Sequence, residues 1–111
     1  MLRSDLWASA FVRRHNNLGH ICVIARKGDP VAGQIFVEID HLNGTVSLLT
    51  PAPATARPDG NEDRLFVRRF DHAEPMAVRD RIAREVEFDP DLWVVALEMR
   101  GDDAGATVVV A

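Results

Sequence analysis

Three stretches in the first half of the chain, His20 to Lys27, Gly33 to Asp40 and Thr45 to Thr50, are rich in aliphatic and β-branched residues. They are separated by Gly28-Asp29-Pro30-Val31-Ala32 and His41-Leu42-Asn43-Gly44. Turn-forming residues at both gaps predict consecutive strands joined by short connections, that is, an antiparallel meander. Pairing across the first gap sets Ile21 by Ile39, Val23 by Val37 and Ala25 by Ile35. Pairing across the second sets Ile39 by Val46 and Val37 by Leu48. Both hairpins then bury one apolar face, and a slip of one residue in either would turn the whole set outward.

The other elements are read around this sheet. Ser4 or Asp5 is suited to cap a first helix running to about Asn17, with Leu6, Trp7, Ala10, Phe11 and Leu18 in one arc facing the core. Arg64 to Phe70 reads as a fourth strand. Pro75 suits the first turn of a second helix with a Val78, Ile82, Val86 stripe and an exposed Asp80–Arg84 pair, stopped near Phe88 by Asp89-Pro90. Leu92 to Met99 is the most apolar strand and is expected to be central, and Thr107 to Ala111 is expected to return as a last strand. Between Pro51 and Asp63 the chain is too rich in Pro and charge for regular structure, so a mobile loop is expected there. The expected fold class is α+β: an antiparallel meander sheet of five or six strands, an N-terminal helix, and a second helix before the penultimate strand.

The 111 residues, 47% of them hydrophobic, suit one domain spanning 1–111. A net charge of -4 disfavours a general grip on phosphate backbones, so nucleic-acid binding is not expected. Arg57, Arg64, Arg68 and Arg69 are interleaved with Asp59, Glu62, Asp63 and Asp71, as in a mixed solvated surface. A single cysteine, Cys22, rules out an internal disulfide, and the apolar run Leu92 to Leu97 is far too short for a membrane helix. Arg13-Arg14-His15 interrupts the start before any signal-peptide core forms, so the first methionine is expected to begin the mature chain and the location to be cytoplasmic.

Leu6-Trp7, Arg13-Arg14, Gly33-Gln34-Ile35-Phe36-Val37, Leu42-Asn43-Gly44-Thr45, Pro51-Ala52-Pro53 and Phe88-Asp89-Pro90-Asp91-Leu92-Trp93-Val94-Val95 together give the chain a family likeness. It resembles the short bacterial proteins grouped as domain of unknown function 1491. The stretch from Phe88 to Val95 is the most specific part of the likeness, and the segments 54–63 and after Met99 are the weakest. The resemblance implies a bacterial single-domain protein without an assigned activity, and it carries no catalytic residue across.

Three constellations are chemically suggestive. In the meander register His20, Cys22, Ile24 and Arg26 share the second sheet face with Gln34, Phe36, Glu38 and Asp40. His20 then lies near Asp40 and Cys22 near Glu38, about 5 Å apart, and these residue types are competent metal ligands. Their spacing matches no established metal motif, and a water-covered sheet face is the favoured account of the same residues. Ile24, Phe36 and Leu49 interrupt that face as an apolar patch, to be covered by a helix of the same chain or by a second copy in a homodimer. Arg14 starts among Trp7, Ala10 and Phe11; its guanidinium either snorkels to water or pairs with Asp89 or Asp91. If Arg13 and Arg14 both project towards a cleft, they would form a bidentate anion site for a phosphate or carboxylate.

No Gly-rich phosphate loop, metal spacing or nucleophile elbow is present. The first reading is therefore a noncatalytic binding or protein-interaction module without a cofactor, acting as a homodimer or with another protein partner. The alternative is a small enzyme or metal-binding protein using His20, Cys22, Glu38 and Asp40.

Overall fold

Residues 2–53 and 64–109 are described by the structure, a computed structural model. They form α1 (Ser4–Asn17), β1 (Ile21–Arg26), β2 (Ile35–Asp40), β3 (Val46–Pro51), β4 (Leu65–Ala73), α2 (Pro75–Phe88), β5 (Trp93–Glu98) and β6 (Thr107–Val108). The protein is α+β. The loop expected over Ala54 to Asp63 and the last two positions of the expected final strand lie outside the described residues.

The six strands make one sheet in the order β1-β5-β2-β3-β4-β6. It is a mixed sheet, because β2 runs parallel to β5 and β4 parallel to β6. The expected β1–β2 hairpin is therefore corrected: β5 lies between them, pairing Ile21 with Glu98 and Val23 with Ala96 on one side and Val37 with Val95 on the other. Burial explains the order. Trp93, Val94, Val95 and Leu97 are all buried, so β5 needs neighbours and cover on both sides, whereas β1 alternates between exposed and covered residues and can serve as an edge. The central position expected for Leu92 to Met99 follows from the same run.

The β2–β3 hairpin forms, one residue out of the expected register: Val37 pairs with Leu49 and Ile39 with Ser47. From Val46 to Thr50 every residue of β3 is buried, so alternation along this strand could not choose between registers. The inversion reaches β1 as well. Cys22 and Ile24 turn towards α1, while Ile21 and Val23 face the other way and are 60% and 52% exposed.

Each sheet face has its own helix. On one, Ala8 and Phe11 of α1 pack on Cys22, Ile35, Val37, Ile39, Leu49, Val95 and Leu97. On the other, Val78 of α2, with Ile82 and Val86, covers Phe36, Leu48, Leu92 and Val94. Burying a side chain of this kind contributes about 1.5–3 kcal/mol. The expected α2 stripe is the one observed, although the ion pair on this helix joins Arg81 to Glu85 at 2.8 Å.

The buried stripe of α1 is rotated from expectation to Ser4, Ala8, Phe11 and His15, leaving Leu6 and Leu18 exposed. A polar residue at each end of that stripe hides it from a hydrophobicity count. Ser4 is no cap: its hydroxyl donates to the Gly33 carbonyl at 2.5 Å and accepts from Arg64 at 2.8 Å. The first helical amides instead find the Val31 and Pro30 carbonyls. Gly28 and Gly33 let this connection lie against the Asp91 carbonyl, where a Cβ would collide with it.

Between β5 and β6 the chain must recross the sheet, since β6 pairs with the start of β4. This connection, residues 99–106, runs on the α1 side, where Ala104 is buried beside Phe11 and His15.

Candidate functional site

One end of the sheet collects the chemistry, because β1 begins there, β2, β4 and β5 end there, and α1 finishes beside it. All four histidines of the chain lie at this end, and three of them bind the 99–106 crossover directly. His15, from the last turn of α1, is buried, and its Nε2 lies 2.6 Å from the Ala104 carbonyl. A carbonyl only accepts, so Nε2 carries the proton and Nδ1 of the neutral ring accepts from Nδ1–H of His20 at 3.0 Å. Burial pulls the His15 pKa below the ordinary imidazole value, and neighbouring Arg14 and His20 act in the same direction. The Ala104 bond and Asp103 oppose them.

The second pair is built on β2 and β4. His41, buried just past β2, donates Nδ1–H to the Met99 carbonyl at 3.2 Å. Its Nε2 accepts from the fully buried Ser47 hydroxyl at 2.8 Å. The same hydroxyl accepts the backbone N–H of His72 at 3.0 Å. That amide needs a side-chain partner because β4 bulges: between the pairs Val46–Ala73 and Leu48–Phe70, Asp71 and His72 both stand opposite Ser47. His72 adopts φ 49°, unusual for a residue with a side chain, and its ring stacks on His41 at 3.9 Å between centroids with 13° between planes. Its Nδ1 lies 2.8 Å from Asp71 and its Nε2 3.1 Å from Asp102 of the crossover.

On the opposite sheet face the same end is open. Register places Ile21, Glu98 and Asp40 in one row across β1, β5 and β2, and Val23, Ala96 and Glu38 in the next. The third row, with Val94 and Phe36, is already buried in the α2 cluster. Burial raises the Glu38 pKa and nearby Asp40 adds to this, against the attraction of Arg79. Two pockets meet at Leu42, which is 45% exposed with φ 62°. One, of about 410 Å³, is lined by His20, Ile21, Glu98 and Arg100; the other, of about 300 Å³, by Glu38, Asp40, Val46 and Arg79.

The residues singled out from sequence are distributed differently from expectation. Cys22 is buried on the α1 face, with its thiol pushed up to about 11 by burial. Glu38 and Asp40 lie on the other face, so with His20 bonded to His15 the four residues do not converge on one point. Ile24 and Leu49 pack in the α1 cluster and Phe36 in the α2 cluster, so they form no common patch. Arg14 donates to the Gly105 carbonyl at 3.2 Å and lies 5.3 Å over the Phe11 ring, while Arg13 is exposed. Asp89 accepts the Asp91 amide, and the Asp91 carbonyl meets the connection that caps the far end of α1. Most of α1, about 15 Å of helix from Ser4 to Arg14, separates these groups from the two arginines.

The sequence pattern places His41 in a turn and Ser47 on a strand, and it marks neither of them nor His72 as a site residue. The available signal was a histidine and a serine amid apolar strand residues, with a partner required for each.

A small α+β fold whose histidines fasten a sheet-crossing connection is the class of protein that these observations define. The model of the family "Protein of unknown function (DUF1491)" matches residues 2–108, and the chain belongs to this family. The solution structure of protein Atu0922 from A. tumefaciens is similar at a TM-score of 0.85 and 32% identity, over 99% of this chain and 96% of that one. The crystal structure of a DUF1491 family protein from Caulobacter crescentus CB15 gives 0.82 and 31%, over 98% and 100% of the two chains. An NMR structure of a DUF1491 family protein from the same organism gives 0.77 and 31%, over 98% and 97%. No curated protein matches the chain.

Proposed function

We propose that this protein is a noncatalytic binding module whose ligand is a segment of a partner protein, received on the open half of the sheet opposite α1. The observation that carries this reading is the two-row grid. Ile21 and Val23 expose more than half of their surface beside Glu38, Asp40 and Glu98 on the same face. Aliphatic side chains next to carboxylates complement a segment with Lys or Arg among aliphatic residues. Apolar contact supplies the affinity, and the carboxylates select the cationic partner. The pockets on either side of Leu42 give such side chains somewhere to insert.

A second copy is a poorer occupant. An isologous contact centred on the grid would set carboxylates over carboxylates, and the outer edge of β1 is blocked at Cys22. There the Asn16 carboxamide takes both the backbone N–H and the carbonyl at 3.0 Å.

The test uses two synthetic peptides of alternating Leu and Lys or alternating Leu and Glu, titrated into the labelled full chain by NMR. Binding of the Lys peptide with shifts at Ile21, Val23 and Glu98, weakened by salt and by Glu98→Lys, supports the assignment. Equal binding of the Glu peptide, or shifts confined to another face, overturns it. Light scattering is expected to report a monomer at high micromolar concentration; a dimer broken by Val23→Asp would transfer the face to self-association.

A further inference from the structure

We infer that His41, His72 and Asp102 form a binding site for one divalent transition-metal ion of the zinc class. The ligand atoms that these residues offer lie within 4.8 Å of one another, two imidazole nitrogens and a carboxylate oxygen being a donor set that suits such ions.

Three features of the geometry bear on the site. The His72 Nε2 to Asp102 Oδ1 separation of 3.1 Å is within a few tenths of an ångström of the edge, about 3.4 Å, between two tetrahedral ligands each held roughly 2.1 Å from a shared ion. Each ring is also anchored through its other nitrogen: Nδ1 of His41 on the Met99 carbonyl and Nδ1 of His72 on the Asp71 carboxylate. This is the outer support that metal-bound histidines commonly have. Finally, the left-handed backbone of His72 is held by the β4 bulge and the Ser47 hydroxyl, so its ring is aimed at the crossover by a conformation that few residues with side chains adopt.

Closing the site requires two adjustments. Ser47 must release Nε2 of His41, and the His41 ring must tilt out of its stack, because parallel rings point their lone pairs side by side. Asp102 lies in the crossover, so the bound ion would pin that connection to β2 and β4.

Isothermal titration of the metal-free full chain with Zn²⁺ tests the assignment. One ion per chain is expected, with the association weakened at least tenfold by His72→Ala and by Asp102→Asn. Both residues are on the surface, and circular dichroism checks that each variant retains the fold. The His41 and His72 ring signals should shift on Zn²⁺ addition, while His20→Ala binds like the parent. Absence of binding overturns the site, as does binding that survives in His72→Ala and Asp102→Asn or disappears in His20→Ala.

Discussion

Ser47 shows how much one hydroxyl can organise. It hydrogen-bonds the ring of a buried histidine and satisfies the amide that a bulge has taken out of the ladder. Ser47→Ala leaves both groups without this partner in a buried place, so a loss of about 2 kcal/mol is expected. The loss would be read as a lower urea midpoint at unchanged slope. Cys22 provides the opposite case of an inert residue. Its thiol titrates near 11 and is covered by α1, so the nucleophilic thiolate is scarce and inaccessible at pH 8. Mass spectrometry after iodoacetamide treatment should find the folded chain unmodified under conditions that alkylate it fully in urea.

At the scale of the element, the crossover from β5 to β6 has an anchorage that depends on pH. His15 accepts a proton less readily folded than unfolded, because burial, Arg14 and His20 outweigh the Ala104 bond and Asp103. A depressed histidine pKa means that the unfolded chain gains protons first as pH falls below about 6.5. The His15 contribution is present above that pH and is lost on acidification. Urea midpoints should therefore fall between pH 7.5 and 5.5. His15→Gln, whose amide can still donate to Ala104, should flatten part of that slope.

The elements themselves were legible. Pro75 and Asp89-Pro90 bracket α2, and the glycine- and asparagine-rich gaps bracket the first three strands, because these residues act through local backbone geometry. Strand neighbours were less legible: a β1–β2 hairpin and the observed insertion of β5 share the same turn chemistry, and only burial on both faces of β5 separates them. The candidate sites suffered most. Moving β2–β3 by one residue and inverting β1 sent Cys22 and Leu49 to the α1 side, and the His41–His72 stack depends on a bulge with no signature in alternation.

At the scale of the molecule, the two faces of one sheet end divide the labour. The α1 side is closed by histidines and the crossover, while the other side leaves aliphatic and acidic residues in solvent. If the open side receives a cationic segment, its affinity should fall with rising salt, and the histidine side should be indifferent to that change.

The placement of β5 also has a consequence in time. β1 has no strand partner, and β2 lacks one of its two, until the segment Trp93–Glu98 exists, so a chain emerging from the ribosome holds β1 unpaired while roughly seventy further residues are made. Pairing at such sequence separation slows closure, and refolding is expected in milliseconds to seconds by stopped-flow fluorescence of Trp93 in a Trp7→Phe variant, without a microsecond phase that buries it. A nascent chain halted before Trp93 should remain sensitive to protease, because the first strand made waits for the fifth before it can pair.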